Sequence, residues 1–364
     1  MKLNIYLSDL YHDYFGAKQF VPINIGYIGA YAREKFGDNV DIQLFKSADR
    51  LLDAIDVTPP HMLALSNYCW NENLNRFVAA NVKARFPDIP IVMGGPNISL
   101  GDHGIEEFLR VYDYVDTYTM FSSERVFSDV VESVLVSDAG HASNSERIKN
   151  AETAGAYSLI DGQLKGLPND DAGKELDFIP SPYLGGMLDP FLDQNMIPIF
   201  ETNRGCPFSC TFCVWGISAL NKLKQFSLDR IYQELDYVTH YGMNFPHIYF
   251  ADANFGILKR DVEIAEKIRQ LYEETKSFSA VEMYWSKSAQ PHMLDVGKAL
   301  GHLSHTYVAF QSLDPVVLEG MKRTNIGLDK LSFLIEGLKE YSHSAQTDIL
   351  LGAPGETVES HLKS

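Results

Sequence analysis

Short apolar runs of strand type alternate with amphipathic helical stretches along most of this chain. Near the start, the apolar runs at residues 3–7 and 62–65 flank a stretch of helical spacing at Ile23–Phe36. Such alternation builds βαβ units, in which parallel strands form a sheet and helices cover its faces. The sequence therefore predicts an α/β fold. Ligands of such sheets bind at the carboxyl ends of the strands.

The alternation is interrupted once, and the interruption divides the chain into three parts. Residues 1–138 are predicted to form an α/β domain, and residues 191–364 a second series of strands and helices. Residues 139–190 are rich in Ser, Asn, Asp, Gly and Pro, which predicts a linker with a hairpin around residues 156–164. The predicted strands are residues 3–7, 40–45, 62–65, 91–93 and 114–118, then 196–200, 247–251, 281–285, 306–310 and 348–351; the predicted helices are 23–36, 74–86, 126–134, 227–240, 261–272, 293–303 and 328–341.

The second series contains five strand–helix units. Serial units of this kind predict a barrel or partial barrel, with function at the carboxyl ends of its strands.

Composition excludes several classes of protein. Of the 364 residues, 45% are hydrophobic, which is enough for a sizeable core. The 31 basic and 48 acidic residues give a net charge of −17, which argues against binding nucleic acid through its phosphates. The sequence has no apolar run of the roughly 18 residues that a membrane span needs, and its N-terminus does not resemble a signal peptide. We therefore expect a cytoplasmic protein with no nucleic-acid or membrane partner.

Three of the four cysteines are clustered within eight residues, at Cys206, Cys210 and Cys213. This CxxxCxxC spacing suits three iron ligands of a [4Fe–4S] cluster, because cysteine thiolates are its usual ligands. The fourth iron is then open to a substrate. Phe208 and Phe212 are expected to shield the cluster.

The three cysteines also allow two alternatives to an iron–sulfur cluster. The first is a zinc site with Cys69 as fourth ligand, although structural zinc sites usually draw on paired CxxC knuckles and no second pair exists. The second is three unrelated buried thiols, since free cysteine is often found in cores. The local spacing favours the cluster over both.

The cysteine motif resembles the signature of the radical S-adenosylmethionine (radical SAM) superfamily. The resemblance continues through residues 250–255, 286–287, 310–312, 322–325 and 351–357, and so covers about residues 190–364. It implies SAM contacts at Asp252, Asn254, Ser286, Lys287, Gln311, Arg323, Gly352 and Pro354, and cluster ligation by Cys206, Cys210 and Cys213. It also implies a partial (β/α)6-type barrel whose sixth unit is missing, so we expect the sequence to be part of a longer protein.

The resemblance also implies a reaction. The open iron would chelate the amino and carboxylate groups of SAM, and an electron would cleave SAM to give a 5′-deoxyadenosyl radical. A low-potential electron donor such as a flavodoxin or ferredoxin is the implied partner. Asp252 could accept a hydrogen bond from the SAM ammonium group, and Lys287 or Arg323 could pair with its carboxylate. A surface ion pair or a solvated helix end is the alternative for each of these charges.

The first domain resembles the cobalamin-binding domains that precede many radical SAM domains, which are flavodoxin-like (Rossmann-type) folds. The implied contacts are Asn67, Tyr68, Trp70, Asn71, Gly94, Gly95, Pro96 and Glu124. The spacing around His12 differs by one residue on each side from the Asp-x-His-x-x-Gly motif, so no His–cobalt bond is expected. Trp70 or Cys69 could face the lower side of the corrin instead. The alternative for Trp70 is a residue of the core. For Cys69 the alternative, which we favour, is a buried thiol.

Together these features predict a radical SAM enzyme that uses cobalamin to methylate an unactivated carbon of a small molecule or peptide. A radical SAM enzyme that catalyses cyclisation, rearrangement or epimerisation is the first alternative. A zinc-stabilised binding module is the second. A methylthiotransferase is disfavoured. Such enzymes carry a second set of cysteines near the N-terminus, and that part of this sequence contains only Cys69.

Overall fold

The structure, a computed structural model, describes residues 2–12, 19–136, 143–169, 175–217, 220–287, 292–304, 306–307, 309–325, 327, 329, 332, 336–337 and 345–364. The chain divides into two compact units. The first comprises Met1–Ala172 and Ile179–Asp189, and the second comprises Gly173–Phe178 and Pro190–Ser364. Each unit contains both strands and helices, so the α/β prediction is confirmed.

The described part of the first unit is built on a seven-stranded sheet. Its strands are β1 Leu3–Ser8, β2 Val40–Phe45, β3 Met62–Ser66, β4 Ile91–Gly94, β5 Thr117–Thr119, β6 Ala156–Ile160 and β7 Gln163–Gly166. Their order in the sheet is β2-β1-β3-β4-β5-β6-β7. Strands β1 to β5 are parallel, and β6 and β7 are antiparallel additions at one edge. The order reverses between β1 and β3, and such a switch point opens a crevice at the carboxyl ends of the strands.

Helices cover both faces of this sheet. They are α1 Ile23–Phe36, α2 Ala48–Val57, α3 Glu72–Arg85, α4 Asp102–Val111, α5 Ser123–Leu135 and α6 Asn144–Asn150; a short helix α7 follows at Asp189–Leu192. Side chains alternate along β1, so Leu3, Ile5 and Leu7 pack with residues of α1 and α5. Tyr6 points the other way and packs with residues of α2, α3 and α4. The unit thus has one apolar core on each face.

The hairpin expected around residues 156–164 is present as β6 and β7. It differs from a free linker because β6 pairs with β5 through Tyr118–Tyr157 and Thr119–Ala156. A hydroxyl pair between Thr117 and Ser158, 2.8 Å apart and buried, joins the same two strands. Buried hydroxyls need such partners, so this part of the predicted linker belongs to the sheet.

The second unit contains parallel strands that neighbour one another in chain order. They are β8 Ile199–Phe200, β11 Ile248–Phe255, β12 Val281–Trp285, β13 Thr306–Tyr307 and β14 Ala345–Gln346. Strand β11 pairs with β8 on one side and with β12 on the other. Strand β12 is joined to residue 304 by a single bridge, and β13 pairs with β14. A two-residue antiparallel pair, β9 Asn203–Arg204 and β10 Lys224–Gln225, lies beside them.

In the described part of the second unit, the helices that follow α7 are α8 Leu228–Thr239, α9 Asp261–Thr275, α10 Met293–Leu300, α11 Pro315–Gly320 and α12 Val358–Lys363, with 3-10 turns at Val214–Gly216 and Gly301–Leu303. Ser227 accepts a hydrogen bond from the Arg230 amide, as expected of an N-cap. The helix predicted over residues 328–341 falls largely outside the described residues. Among the helices of the described residues, none combines the length and the apolar character needed to cross a membrane.

The strand predicted at residues 348–351 is shorter and lies earlier in the chain. Among the described residues, the ladder forms at β14, and after it Ile349 makes a single bridge to Gln311. Gln311 has a left-handed backbone (φ 67°), a conformation that does not fit a regular strand. This explains why the pairing is interrupted there.

Candidate iron–sulfur and cofactor site

The cysteine loop of the second unit is closed at its base by β9 and β10. The Cys206 amide donates to the Leu220 carbonyl at 3.1 Å, just inside that pair. Gly205 has φ +101°, and a side-chain carbon there would lie 2.2 Å from the Lys222 carbonyl oxygen. Only glycine fits such a position without moving the loop. Gly205 therefore holds the turn that delivers Cys206.

All three cysteines line one cavity of about 430 Å³ in this unit. Of the residues that the sequence implies for SAM, the structure brings Asp252, Asn254, Lys287, Gln311 and Arg323 to the same cavity. Ser286, Gly352 and Pro354 do not line it. Ser286 is buried beside it, while Gly352 and Pro354 are exposed on the turn before α12.

Nitrogen donors surround two of the three sulfurs. The Asn254 amide nitrogen lies 3.1 Å from Cys206 Sγ, and Lys287 Nζ lies 3.3 Å from Cys210 Sγ. Arg323 Nη1 is more distant, at 4.0 Å from Cys210 Sγ. Positive charge and N–H donors stabilise thiolates, the form in which cysteine binds metals.

Cys213 shows how the thiols influence one another. Burial raises the pKa of Cys213, and the nearby Cys206 and Cys210 raise it further. This second effect is repulsion between the negatively charged thiolates, which line the same cavity. A cluster that binds them removes the cost, because a metal-bound thiol is deprotonated outright.

Asp252 has protein partners that the sequence did not predict. Its carboxylate is buried and accepts hydrogen bonds from the backbone amides and side chains of both Thr202 and Asn203, with the Asn203 side-chain nitrogen at 2.9 Å. Burial raises the pKa of Asp252 to about 7, while the hydrogen bonds lower it. The carboxylate therefore ties β11 to the segment that leads into the cysteines, and its contact with the SAM ammonium group stays a prediction.

Arg260 secures the same segment from another side. Its guanidinium donates to the Thr202 carbonyl at 2.8 Å and to the Phe226 carbonyl. Because Phe226 follows β10, this arginine links both ends of the cysteine loop. The cluster motif is thus held by groups that the CxxxCxxC spacing does not contain.

The glycine turn at residues 352–356 is organised by Glu356. One carboxylate oxygen accepts from the Gly352 amide at 2.6 Å and the Ala353 amide at 3.3 Å, and the other lies 2.9 Å from His361 Nδ1. The bond from His361 lowers the pKa of Glu356. The carboxylate thus fixes the shape of the turn.

Several residues of the cavity wall were not predicted from the sequence: Trp215, Tyr249, Tyr284, Trp285 and Asp348. Tyr249 and Tyr284 pack edge to face with ring centroids 6.4 Å apart. They lie at the alternating positions of β11 and β12, and period-two alternation is the one signal that could have found them.

The arrangement fits a cluster better than a single ion. Each thiolate of a cubane holds a different iron, so the three sulfurs need to surround a shared volume and need not meet at one point. A zinc ion requires its ligands to converge on it. Within the described residues, no group of three His, Cys, Asp or Glu side chains converges in that way.

In the first unit, two of the loops predicted to bind a ligand contact each other. The Asn67 side chain donates to the Asn97 carbonyl at 2.8 Å, and Tyr118 Oη donates to the Gly95 carbonyl at 2.8 Å. A side-chain carbon on Gly94 would meet Thr119 Oγ1 at 2.4 Å, and one on Gly95 would meet the Asn67 carbonyl at 2.4 Å. These glycines are therefore required by the packing of the loops themselves.

The loop after β3 presents a flat aromatic pair. The rings of Tyr68 and Trp70 stack with centroids 4.4 Å apart and planes inclined by 9°. Trp70 is 51% exposed, so it is not a core residue. Cys69 is also exposed, so the buried-thiol prediction was wrong. The buried Asn71 side chain accepts from the Tyr68 amide at 2.9 Å and holds this loop in shape.

The remaining predicted residues of the first unit lie at the same ends of the strands. Pro96 is exposed after β4, and Glu124 is buried in the first turn of α5, which follows β5. His12 is the last described residue before a gap, so its lack of a cobalt bond stays a prediction.

A parallel βα array with three cysteines around one cavity defines a class of iron–sulfur domain. The family model of the radical SAM superfamily matches residues 200–363, the part of the chain that carries this site. The predicted family is confirmed for this part of the chain: residues 200–363 match the radical SAM superfamily.

Two curated relatives extend the similarity to the first unit. The cobalamin-dependent radical SAM methyltransferase TokK of Streptomyces tokunonensis is 29% identical over 94% of this chain. The 2-(S-pantetheinyl)-carbapenam-3-carboxylate methyltransferase of Streptantibioticus cattleyicolor is 28% identical, also over 94%. The chain spans 50% of the length of each relative.

A solved structure shares the fold. The radical SAM methyltransferase TsrM of Kitasatospora setae, determined with cobalamin and a [4Fe–4S] cluster, superposes with a TM-score of 0.73. The match covers 99% of this chain and 69% of TsrM at 14% identity.

Proposed function

We propose that this chain holds a [4Fe–4S] cluster at Cys206, Cys210 and Cys213 and cleaves SAM reductively to form a 5′-deoxyadenosyl radical. The observation that carries the proposal is the shared cavity, in which the three thiols lie beside Asn254 and Lys287. When bound, the cluster supplies the electron and the open iron; the chain supplies binding, orientation and shielding from water.

We propose that SAM occupies the rest of the same cavity. Gln311 and Arg323 line it, and Arg323 is oriented by a 2.8 Å bond to Asn325 Oδ1. A guanidinium held in this way is suited to a carboxylate. Asn254 stays a predicted contact near the cluster. Ser286, Gly352 and Pro354 stay predictions that need direct mapping, and Asp252 acts by positioning the loop.

The strands of the second unit support a partial (β/α)6-type barrel, because parallel strands that neighbour one another in chain order are the wall of such barrels. The first unit supports a flavodoxin-like cobalamin-binding domain. Its strand order 2-1-3-4-5 is that of flavodoxin-like sheets, which bind their cofactor at the switch point.

We propose that cobalamin binds at that switch point, against the loops of Asn67–Asn71 and Gly94–Pro96 and near Glu124. The stacked, half-exposed pair of Tyr68 and Trp70 offers a flat apolar surface of the kind that suits a corrin ring. The names of the relatives support cobalamin as the cofactor and methyl transfer as the reaction.

The proposed overall reaction is methylation of an unactivated carbon. The carbapenam relative acts on a small molecule, which supports a small-molecule substrate for this chain. A low-potential flavodoxin or ferredoxin is proposed as the electron donor.

The test is anaerobic reconstitution with iron, sulfide and hydroxocobalamin, followed by analysis of products from SAM. We expect about four irons per chain, a corrinoid spectrum, 5′-deoxyadenosine and methylated product. Cys210→Ala should abolish 5′-deoxyadenosine formation, whereas Cys69→Ser, at an exposed cysteine outside the motif, should not.

Two outcomes would contradict the proposal. About one zinc per chain without iron would identify the zinc-stabilised module. 5′-Deoxyadenosine without methyl transfer would keep the radical chemistry and replace methylation by cyclisation, rearrangement or epimerisation.

A further inference from the structure

A lysine side chain lies against one of the three cluster cysteines. Lys287 Nζ is 3.3 Å from Cys210 Sγ, within hydrogen-bond distance for sulfur. Lys287 is only 9% exposed and Cys210 only 7%. A charge shielded from water acts much more strongly on its neighbours than one at the surface. This contact is therefore a strong local electrostatic feature of the cavity.

Lys287 is held in this place by its surroundings. Its ammonium group lies 4.1 Å from the centre of the Phe208 ring, a cation–π contact within the cysteine loop itself. The preceding residue, Ser286, donates its amide to the Phe255 carbonyl at 3.0 Å and so fixes the end of β12 against β11. The lysine thus bridges the strand end and the cysteine loop.

Arg323 and Asn254 act more weakly on the sulfurs. Arg323 Nη1 is 4.0 Å from Cys210 Sγ, and the same guanidinium also donates to Asn325 and to the Ala309 carbonyl. Asn254 donates to Cys206 but carries no charge. Of the two cations that contact Cys210 in the described part of the cavity, Lys287 is therefore the closer.

We infer that Lys287 raises the reduction potential of the cluster through Cys210 and so makes it easier to reduce. The potential of an iron–sulfur cluster depends on its net charge and on hydrogen bonds to its sulfurs. Reduction adds one electron from an external donor to the oxidised cluster and breaks no bond. The adjacent ammonium group stabilises the added negative charge. This inference rests on the proposed cluster, and it assigns Lys287 a role other than pairing with the SAM carboxylate.

The experiment compares Lys287→Met, Lys287→Arg and a matched control, Lys267→Met. Lys267 lies in the same unit but pairs with Asp236 on α8, at 2.9 Å. Each reconstituted protein, without SAM, is titrated with dithionite under electron paramagnetic resonance, and SAM affinity is measured separately.

We expect Lys287→Met to lower the ratio of reduced to oxidised cluster about tenfold at the wild-type midpoint, or ~59 mV for a one-electron couple. Lys287→Arg should stay near the wild-type value, because it keeps the charge, and Lys267→Met should match the wild type. Phe208→Leu, which removes the ring beneath the ammonium group, should give an intermediate shift.

The outcomes separate this inference from the proposed function. An unchanged potential in Lys287→Met with weaker SAM binding would overturn the inference and assign the lysine to the SAM carboxylate. A wild-type protein that assembles no cluster would instead overturn the proposed function. If Lys287→Met alone lost its iron, its potential could not be measured, and Phe208→Leu and Lys287→Arg would decide. A wild-type potential in Phe208→Leu would then count against the inference.

Discussion

Gly205 combines a left-handed backbone with close contact to Lys222, immediately before the first cysteine. Gly242 also has a left-handed backbone (φ +90°), but nothing lies within 4 Å of where its side-chain carbon would be. The two glycines therefore separate backbone strain from steric clash.

We predict that Gly205→Ala disrupts the cysteine loop, while Gly242→Ala costs only backbone strain. The strain should lower the free energy of unfolding by about 1–2 kcal/mol in Gly242→Ala and leave the iron content unchanged. Gly205→Ala must in addition displace the loop, so reconstituted protein should contain substoichiometric iron. Iron and sulfide counting, with urea unfolding, checks both. Equal iron content in the two variants would show that the loop tolerates the displacement.

Asp261 is a buried acid at the first position of α9. Its Oδ2 accepts from the Gly256 and Leu258 amides, and its Oδ1 is buried with no hydrogen-bond partner among the described residues. Burial raises the pKa of Asp261 from 3.8 to about 6, although the two amides lower it. Between these values the folded protein binds more protons than the unfolded chain.

We predict that Asp261→Asn flattens the pH dependence of stability between about pH 4 and pH 6. In the wild type, the free energy of unfolding falls as the pH rises through this window, by up to roughly 3 kcal/mol from this group. Asparagine keeps one acceptor oxygen and does not titrate. Urea unfolding at several pH values measures the slope, with Asp295→Asn at an exposed position of α10 as the control. Asp252, whose pKa is raised to about 7, maintains part of the slope in all variants. Parallel curves for wild type and Asp261→Asn would refute the assignment.

Among the helices and strands, the sequence predicted best those whose hydrophobic pattern or cap is contained in a single segment of the chain. Helix α1 and strand β2 have the predicted bounds, and α8 begins one residue after the predicted start at residue 227, where Ser227 caps it. Helices α2 and α4 were missed, although Ser47 caps α2 and Leu51 and Ile55 form its buried stripe. Each of these helices is only ten residues long and has two buried positions, so its apolar stripe is short. The β9–β10 pair was missed because two residues carry no pattern and their pairing is set by the closure of the loop.

The junction of β5 and β6 offers a test of how firmly the hairpin is anchored. Thr117→Val should leave the buried Ser158 hydroxyl without its partner and cost about 1–3 kcal/mol. The double variant Thr117→Val with Ser158→Ala should cost less than the sum of the single variants, because neither polar group is then left unpaired. A double-mutant cycle by urea unfolding measures the coupling. Strict additivity would mean that water replaces the bond and that the hairpin is only loosely attached.

At the scale of the whole molecule, each unit has its own core and carries one of the proposed cofactor sites. We predict that replacing Cys206, Cys210 and Cys213 together by Ala removes the iron but changes the dissociation constant of cobalamin by no more than about threefold, or ~0.7 kcal/mol. Iron analysis and a spectroscopic cobalamin titration measure both. A large loss of cobalamin affinity would show that the two sites are energetically coupled.

The sequence predicted best those parts of the candidate site whose residues lie close together in the chain. The three cysteines are neighbours in the chain, so their spacing was enough. Lys287 lies 77 residues from Cys210, and Asp252 lies about 50 residues from Thr202 and Asn203. Contacts at such separations depend on strand register. For this reason the sequence predicted Asp252 as a residue of the cavity but not its hydrogen bonds to Thr202 and Asn203.

The double anchoring of Thr202, by Asp252 from β11 and by Arg260 from the start of α9, bears on how fast an electron can arrive. A ligand loop that is fixed from two sides changes its geometry little when the oxidation state of what it holds changes. With the proposed cluster bound, the reorganisation energy of electron transfer would then be small, because the polar surroundings are already in place. The two side chains would thereby contribute to the rate of reduction even though neither one touches a sulfur ligand in the described contacts.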